Sequence, residues 1–569
     1  MVFIGIFVVI NSYICKTINE PQQPMNLKSN FYRTLLATAI LSISATYTLR
    51  SQSADFNAGK YLEIQSAILR TVDSQYVDSV KLSDMLLKGI NAMLASLDPY
   101  TVFIPEEDEE ALELMTTGSY GGVGSLIQKL PNGNVMISEP YEGSPAVKAG
   151  LQPGDTIIAI EGVPVKDLAV EECSNRMKGV PGTDLNMTVI KGRTGDTVQV
   201  ALKRERIHVS DVTYYGMLDD STGYILIGGF TMNGAKDVRN AVETLKSDGN
   251  MKRLVLDLRG NGGGLMSEAI DIVSLFVPKN TLVMSSKGKA KGTNVEYRTE
   301  TAPLDTLIPM MVLVNSGSAS SSEIVAGALQ DLDRATIAGT RTYGKGLVQT
   351  ILPTGYNTSF KLTTAKYYTP SGRCVQAIDY SHRNEDGSVG SVPDSLKKEF
   401  KTKHGRSVYD GGGISPDITI EPGYYSRPMV SLIYSTIISD YAIRYYKSHE
   451  SIAPAGEFTL TDEEYEDFVK FAAKGQFDHR TESYIEMEEV LKAFERENMV
   501  ARMEGTKEEL EQMLEKFSLS KEEFLIAHKD QIKPLLEDDI ATKFYFIRGA
   551  AESALRQDTQ LHKALEQWK

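Results

Sequence analysis

A serine and a lysine 25 residues apart are the pair in this chain best suited to covalent chemistry. Ser320 stands in Gly317-Ser318-Ala319-Ser320-Ser321-Ser322-Glu323, and Lys345 in Tyr343-Gly344-Lys345-Gly346-Leu347-Val348-Gln349. A serine hydroxyl is a weak nucleophile until a base takes its proton, and lysine serves as that base only when burial lowers its pKa toward neutrality. If the fold unites the two, the pair can hydrolyse acyl bonds without a histidine. Each half also has a plain structural reading. Ser320 and Glu323 have capping-box spacing ahead of Ile324, Val325 and Leu329. Glycines around a lysine commonly mark a turn with a solvated cation.

A nucleophile at a helix start lies beside backbone N–H groups that lack helical partners, and these can face the negative oxygen of acyl transfer. Ser321 N–H is the natural first donor. The second is expected from Gly263 or Gly264, in a glycine run that follows the apolar strand Arg253–Leu258. The same run can serve simply as a tight strand-to-helix connection.

Together and in order, these blocks resemble the carboxyl-terminal processing peptidases, or tail-specific proteases. The resemblance extends through Glu323 to Asp331, Ala338-Gly339, Gly223-Tyr224-Ile225 and Leu256-Asp257-Leu258-Arg259-Gly260-Asn261-Gly262-Gly263-Gly264, and most of residues 60 to 425 follow the family order. It implies that Ser320, three before the glutamate, is the nucleophile rather than Ser318, Ser321 or Ser322. It also implies that Lys345 is the general base, that Gln349 orients it, and that the core is crotonase-like or ClpP-like. Cys374 departs from the pattern, which more often has a small polar residue there, and reads as a packed or free thiol.

Other chemistries have less support. Of the seven histidines, only His208 precedes the serine block, and His382 and His404 lie in a polar, charge-rich stretch. Cys15, Cys173 and Cys374 are too far apart for a Cys-x-x-Cys site, so zinc is not expected, and no other cofactor is implied. The formal charge of −15 argues against broad nucleic-acid binding.

Residues 1–50 read as a signal sequence or membrane anchor. A basic lead with Lys28 and Arg33, the apolar Leu35–Ile43 and small residues near Ser44-Ala45 follow Met25, a possible true start. Periplasmic or envelope localisation follows from this, with an inner-membrane anchor if the segment is retained. Residues 56–115 form an N-terminal helical region, with Tyr61, Ile64, Ile68 and Leu69 on one face and Leu82, Met85, Leu86, Ile90 and Leu94 on another. Residues 116–208 resemble a PDZ domain. Its glycine-rich turn Gly121, Gly122, Val123 and Gly124 would grip a terminal carboxylate, with the peptide added as a strand beside Val123–Ile127.

Residues 209–425 alternate strand and helix: Tyr224–Phe230, helix Ala235–Lys246, Arg253–Leu258, helix Met266–Phe276, Met310–Asn315, helix Ser320–Leu332 and Thr336–Ala338. This predicts an α/β core with Ser320 at a strand-to-helix crossing. The stretch 381–413 reads as a solvated loop or a cover over the entrance. Residues 426–569 form an acidic helical domain with capping boxes at Thr461/Glu464 and Ser520/Glu523 and an apolar stripe of Tyr465, Phe468, Val469 and Ala472. Its helices offer a homodimer interface.

The expectation is an α/β multidomain, exported serine endopeptidase that binds unstructured carboxyl-terminal tails of proteins through the PDZ groove and cleaves with Ser320 and Lys345. A catalytically idle PDZ scaffold is the main alternative. A crotonase-like acyl-CoA enzyme is a more distant one.

Overall fold

A computed structural model describes residues 56–130, 132–248, 250–384, 388–497 and 505–568, so the expected signal or anchor segment lies outside the described residues. The chain divides into one unit ending at Met93 and a second running from Leu94 to Lys569. In the first, residues 56–75 and the start of Leu82–Ala95 are helical, and the apolar faces carrying Tyr61, Ile64, Ile68, Met85 and Leu86 stay exposed.

The second unit is organised around a six-stranded sheet in the order Val212–Met217, Thr222–Ile227, Arg253–Asp257, Met310–Val314, Thr336–Gly339 and Ile418–Thr419. Only the first pair is antiparallel. Helices Gly234–Asp248, Met266–Ser274 and Ser321–Asp331 make the crossovers between parallel strands, as the alternating apolar pattern requires. Side chains alternate across this sheet. Ile225, Leu254, Leu256, Val312 and Ile337 meet the crossover helices, whereas Tyr224, Val255, Met311, Leu313 and Ala338 point to the opposite face. That second face is covered by Leu561 and Ala564 of the final helix, Thr559–Gln567. The last residues of the expected C-terminal domain therefore complete the core of the preceding one.

A second, five-stranded antiparallel sheet contains Val102–Ile104, Thr358–Tyr368, Leu282–Gly288, Val295–Arg298 and Leu347–Gly355. Val102–Ile104 falls inside the region expected to be helical through residue 115. Its apolar, β-favouring residues lie between Pro99 and Pro105 and pair with Ser359–Lys361.

In the expected PDZ region, Ser125–Lys129, Val135–Pro140, Thr156–Ile160, Asp184–Ile190 and Thr197–Lys203 form an antiparallel sheet around Val135, Ile137, Ile157, Leu185 and Met187. The stretch 381–413 forms parts of two hairpins, Ile378–Arg383 with Val389–Ser391 and Glu399–Lys401 with Ser407–Tyr409. Arg406 secures the second hairpin to Asp333, Asp417 and the Gln330 carbonyl, at the end of Ser321–Asp331 remote from Ser320. The described residues of this stretch are thus in part paired strands rather than loop throughout. The C-terminal helices bury Tyr465, Phe468, Val469 and Ala472, and both capping boxes form. Among the described residues no helix is long and apolar enough to cross a membrane.

Candidate active site

Ser320 caps the Ser321–Asp331 helix with φ 55° and ψ −112°. A non-glycine residue in this region stores roughly 1–3 kcal/mol of strain, so its surroundings must hold it there. They do so through backbone. Ala319 N–H donates to Asn261 O at 3.0 Å, and Ser320 N–H donates to Glu323 Oε2 at 3.0 Å. Ser320 and Glu323 face each other as a capping box, and the Ser320 hydroxyl donates to no acceptor among the described residues.

The neighbouring hydroxyls are all committed. Ser318 Oγ donates to Leu258 O at 2.7 Å, Ser321 Oγ to Gly264 O at 2.9 Å and Ser322 Oγ to Asn261 O at 2.8 Å. Within the block, the Ser320 hydroxyl alone donates to no acceptor among the described residues. It lines a cleft of about 280 Å³ that also contains Lys345, Gln349, Lys361 and the glycine run, with Met266, Ile324, Leu347 and Tyr367 among its apolar walls.

Glu323 joins the two halves of the site. Its buried carboxylate accepts Ser320 N–H and Lys345 N–H, the latter at 2.8 Å, on Oε2, and Gly344 N–H at 2.8 Å and Thr342 Oγ1 at 2.6 Å on Oε1. Burial raises its pKa, and these hydrogen bonds oppose the rise. Local spacing assigns Glu323 only a capping role. Its remaining partners come from the loop around Lys345, which local spacing does not reveal.

Burial is the largest influence on Lys345 and lowers its pKa. The positive charge of Lys361 adds to this, while Asp98 and Glu323 oppose it. Lys345 Nζ lies over the Tyr100 ring, 4.3 Å from its centroid, and makes no hydrogen bond to Ser320 Oγ. Gln349 shares the cleft, but its Nε2 donates to Thr363 Oγ1 at 3.3 Å rather than meeting Lys345.

Ser321 N–H has no acceptor among the described residues, as a first helical residue leaves it. The two glycine candidates differ. Gly263 N–H donates to Asn261 Oδ1 at 2.9 Å, whereas Gly264 N–H has no acceptor among the described residues. Gly263 instead supplies clearance. It has φ +98°, and a Cβ there would lie 2.8 Å from both Ala319 O and Ser320 Cβ. Arg259, just before the run, pairs with Asp257 and Asp558, the residue that caps the final helix.

In the PDZ region, Val123 and Gly124 line a narrow cleft with Ser125, Ile127, Ser174 and Met177. Their N–H groups have no acceptor among the described residues. Gly121 and Gly122, expected in the gripping loop, instead belong to the strand Ser119–Gly122, paired with Glu205–His208. A Cβ at Gly121 would run into Gly179 O, so this glycine serves close packing. Cys173 is buried and Cys374 half-buried, both as free thiols, and no metal-holding cluster occurs among the described residues.

Profiles of three families match the chain: peptidase family S41 over residues 221–382, the PDZ domain over 112–190, and the probable PDZ-protease C-terminal helical domain over 429–567. The chain is 34% identical to a carboxy-terminal-processing protease of Bartonella bacilliformis over 60% of its own length and 78% of that protein. It is 40% identical to a carboxyl-terminal-processing protease of Synechocystis sp. over 51% of its length and 68% of the relative. A solved structure of the photosystem II D1 C-terminal processing protease aligns at 26% identity and a TM-score of 0.34, covering 63% of this chain and 92% of that one. The chain therefore belongs to the carboxyl-terminal processing proteases of peptidase family S41.

Proposed function

We propose that this protease is a serine endopeptidase that uses Ser320 as nucleophile and Lys345 as general base. The observation that carries this reading is the state of the serine block: three hydroxyls are donated to backbone carbonyls, while the Ser320 hydroxyl, in the cleft shared with Lys345, donates to no acceptor among the described residues. Neutral Lys345 takes the Ser320 proton as Oγ attacks the scissile carbonyl. Ser321 N–H and Gly264 N–H hold the resulting oxyanion. The protonated lysine then gives its proton to the leaving amine, and water deprotonated by the same lysine clears the acyl-enzyme. Gln349 has its part in orienting the lysine once substrate closes the site. The core is of the crotonase or ClpP type.

The PDZ groove presents Val123 and Gly124 N–H to a terminal carboxylate and an apolar wall to the last side chain. Substrates are accordingly unstructured protein carboxyl termini with apolar ends. Export to the periplasm or cell envelope, with an inner-membrane anchor if the segment is uncleaved, rests on the residues after Met25. A homodimer through the C-terminal helices is a further proposal, which a monomeric mass in light scattering at micromolar concentration would remove.

The test is cleavage of an unfolded reporter carrying varied carboxyl-terminal residues. Wild type should prefer apolar termini and lose that preference with an amidated end, and Ser320→Ala and Lys345→Ala should leave the reporter intact. Cleavage by Ser320→Ala overturns the reading. One observation favours a second reading, a catalytically idle PDZ scaffold: Lys345 Nζ rests on Tyr100 and not on Ser320 Oγ. An intact wild-type reporter together with tight tail binding would support it.

A further inference from the structure

The contact between Lys345 and Tyr100 has a chemical consequence. The electron-rich face of an aromatic ring attracts an ammonium group and gains nothing comparable from a neutral amine. Among the described residues Lys345 Nζ has no hydrogen bond or ion pair, so the ring face 4.3 Å away is its close polar partner. We propose that Tyr100 is a positioning residue that holds Lys345 in its protonated form, so that the ring helps set the pH at which the base becomes competent. This rests on the reading of Lys345 as general base.

The ring is held firmly enough for such a role. Asp98 Oδ1 accepts Tyr100 N–H and Thr101 N–H, each at 2.8 Å, and Asp98 Oδ2 accepts Thr101 Oγ1 at 3.0 Å. The adjoining strand Val102–Ile104 fixes the turn to Thr358–Tyr368. Tyr100 Oη donates to Tyr343 Oη at 3.2 Å, and the ring stands edge-on to Tyr380 with centroids 6.1 Å apart. Burial raises the Tyr100 hydroxyl pKa, which keeps the phenol neutral, so its effect on Lys345 comes from the ring face.

The charged groups acting on Lys345 come from several elements. Lys361, on Thr358–Tyr368, disfavours the ammonium, as does burial. Asp98, in the turn before Val102–Ile104, and Glu323, on the Ser321–Asp331 helix, favour it. Tyr100 adds to the second group. Removing its ring face while keeping the site dry should release the proton at lower pH.

Two measurements on the full chain test this. In the first, kcat/KM for an unfolded reporter is followed against pH in wild type, Tyr100→Phe and Tyr100→Leu. Phe keeps the ring face and should leave the acid limb in place. Leu keeps apolar cover alone and should move the limb down by about half a unit to one and a half units, a roughly 3- to 30-fold gain on the acid side. In the second, acetylation of Lys345 by acetic anhydride is followed against pH by mass spectrometry in Ser320→Ala backgrounds, so that no turnover is needed. Tyr100→Met repeats both measurements should the leucine variant fold poorly. A downward shift of the Lys345 acetylation profile with Leu or Met, and not with Phe, supports the contact. An unmoved or upward-shifted profile overturns it. A downward acetylation shift without a matching kcat/KM shift leaves the contact standing and removes Lys345 from the role of base.

Discussion

Replacing Glu323 should disturb the nucleophile and the base at once. Its carboxylate is fully buried and accepts four hydrogen bonds, from Ser320 N–H, Lys345 N–H, Gly344 N–H and Thr342 Oγ1. In Glu323→Ala the three backbone donors lose their acceptor. At about 1–3 kcal/mol for each orphaned donor, reduced by water entering the space and by the removal of a buried charge, the net loss is about 3–5 kcal/mol. Glu323→Gln keeps the shape, but its amide NH2 must face one pair of donors. The Oε1 side suits it better, since the Thr342 hydroxyl, which already accepts Ile414 N–H, can turn its second lone pair to the amide, leaving Gly344 N–H and the Thr342 hydroxyl hydrogen without their carboxylate acceptor. The loss is then about 2–4 kcal/mol, including weakened charge assistance in the other bonds. Because Oε2 ties Ser320 and Lys345 to one atom, kcat should fall about 100-fold or more in both variants, with KM changed little. Initial rates on an unfolded reporter, with thermal unfolding followed by circular dichroism, provide the assay. A Glu323→Ala protein with wild-type kcat and unfolding temperature would refute the reasoning.

Gly263→Ala should abolish cleavage, because its Cβ meets Ala319 O and Ser320 Cβ at 2.8 Å, whereas Gly262→Ala, with open space around it on the wall of the cleft, should fold as wild type does and retain cleavage. Reporter cleavage by the two variants checks this contrast. Asp558→Ala should lower stability by about 1–3 kcal/mol through loss of a helix cap and half of the Arg259 clamp, and should reduce kcat more than it raises KM because Arg259 adjoins the glycine run. Denaturant unfolding and steady-state kinetics read the two effects. Lys361→Met should move the acid limb of kcat/KM to higher pH, since removing a like charge favours the protonated lysine. The depressed folded pKa of Lys345 also means that the unfolded chain binds the proton more readily. Its contribution to stability therefore grows as pH rises from the folded pKa toward 10.5 and is lost on acidification, and denaturant titrations of Lys345→Ala should lack that slope.

The parallel core was legible because each strand is a short apolar run followed by an amphipathic helix. Arg253–Asp257 and Met310–Val314 lie within a residue of their expected ends. The second sheet was not legible. Its long strands Leu347–Gly355 and Thr358–Tyr368 mix lysine and threonine with apolar residues, and one edge pairs Val102 with Lys361, far away in sequence. The cover supplied by Thr559–Gln567 was missed for a related reason, since an amphipathic stripe does not name the surface it meets. Within the candidate site, the cleft gathers Ser320, Ser321, Gly263, Gly264, Lys345 and Gln349. Glu323, Asn261 and Tyr100 act through partners beyond local spacing, so the sequence displayed them without showing what they hold.

The most direct measurement is the rate of phosphonylation at Ser320, read by peptide mass mapping after exposure to a fluorophosphonate, in wild type and in Lys345→Ala. A neutral lysine activating the Ser320 hydroxyl predicts a label on Ser320 in wild type and its loss in Lys345→Ala at unchanged fold. A label on Ser318, Ser321 or Ser322 instead, or an undiminished rate without the lysine, would contradict the account.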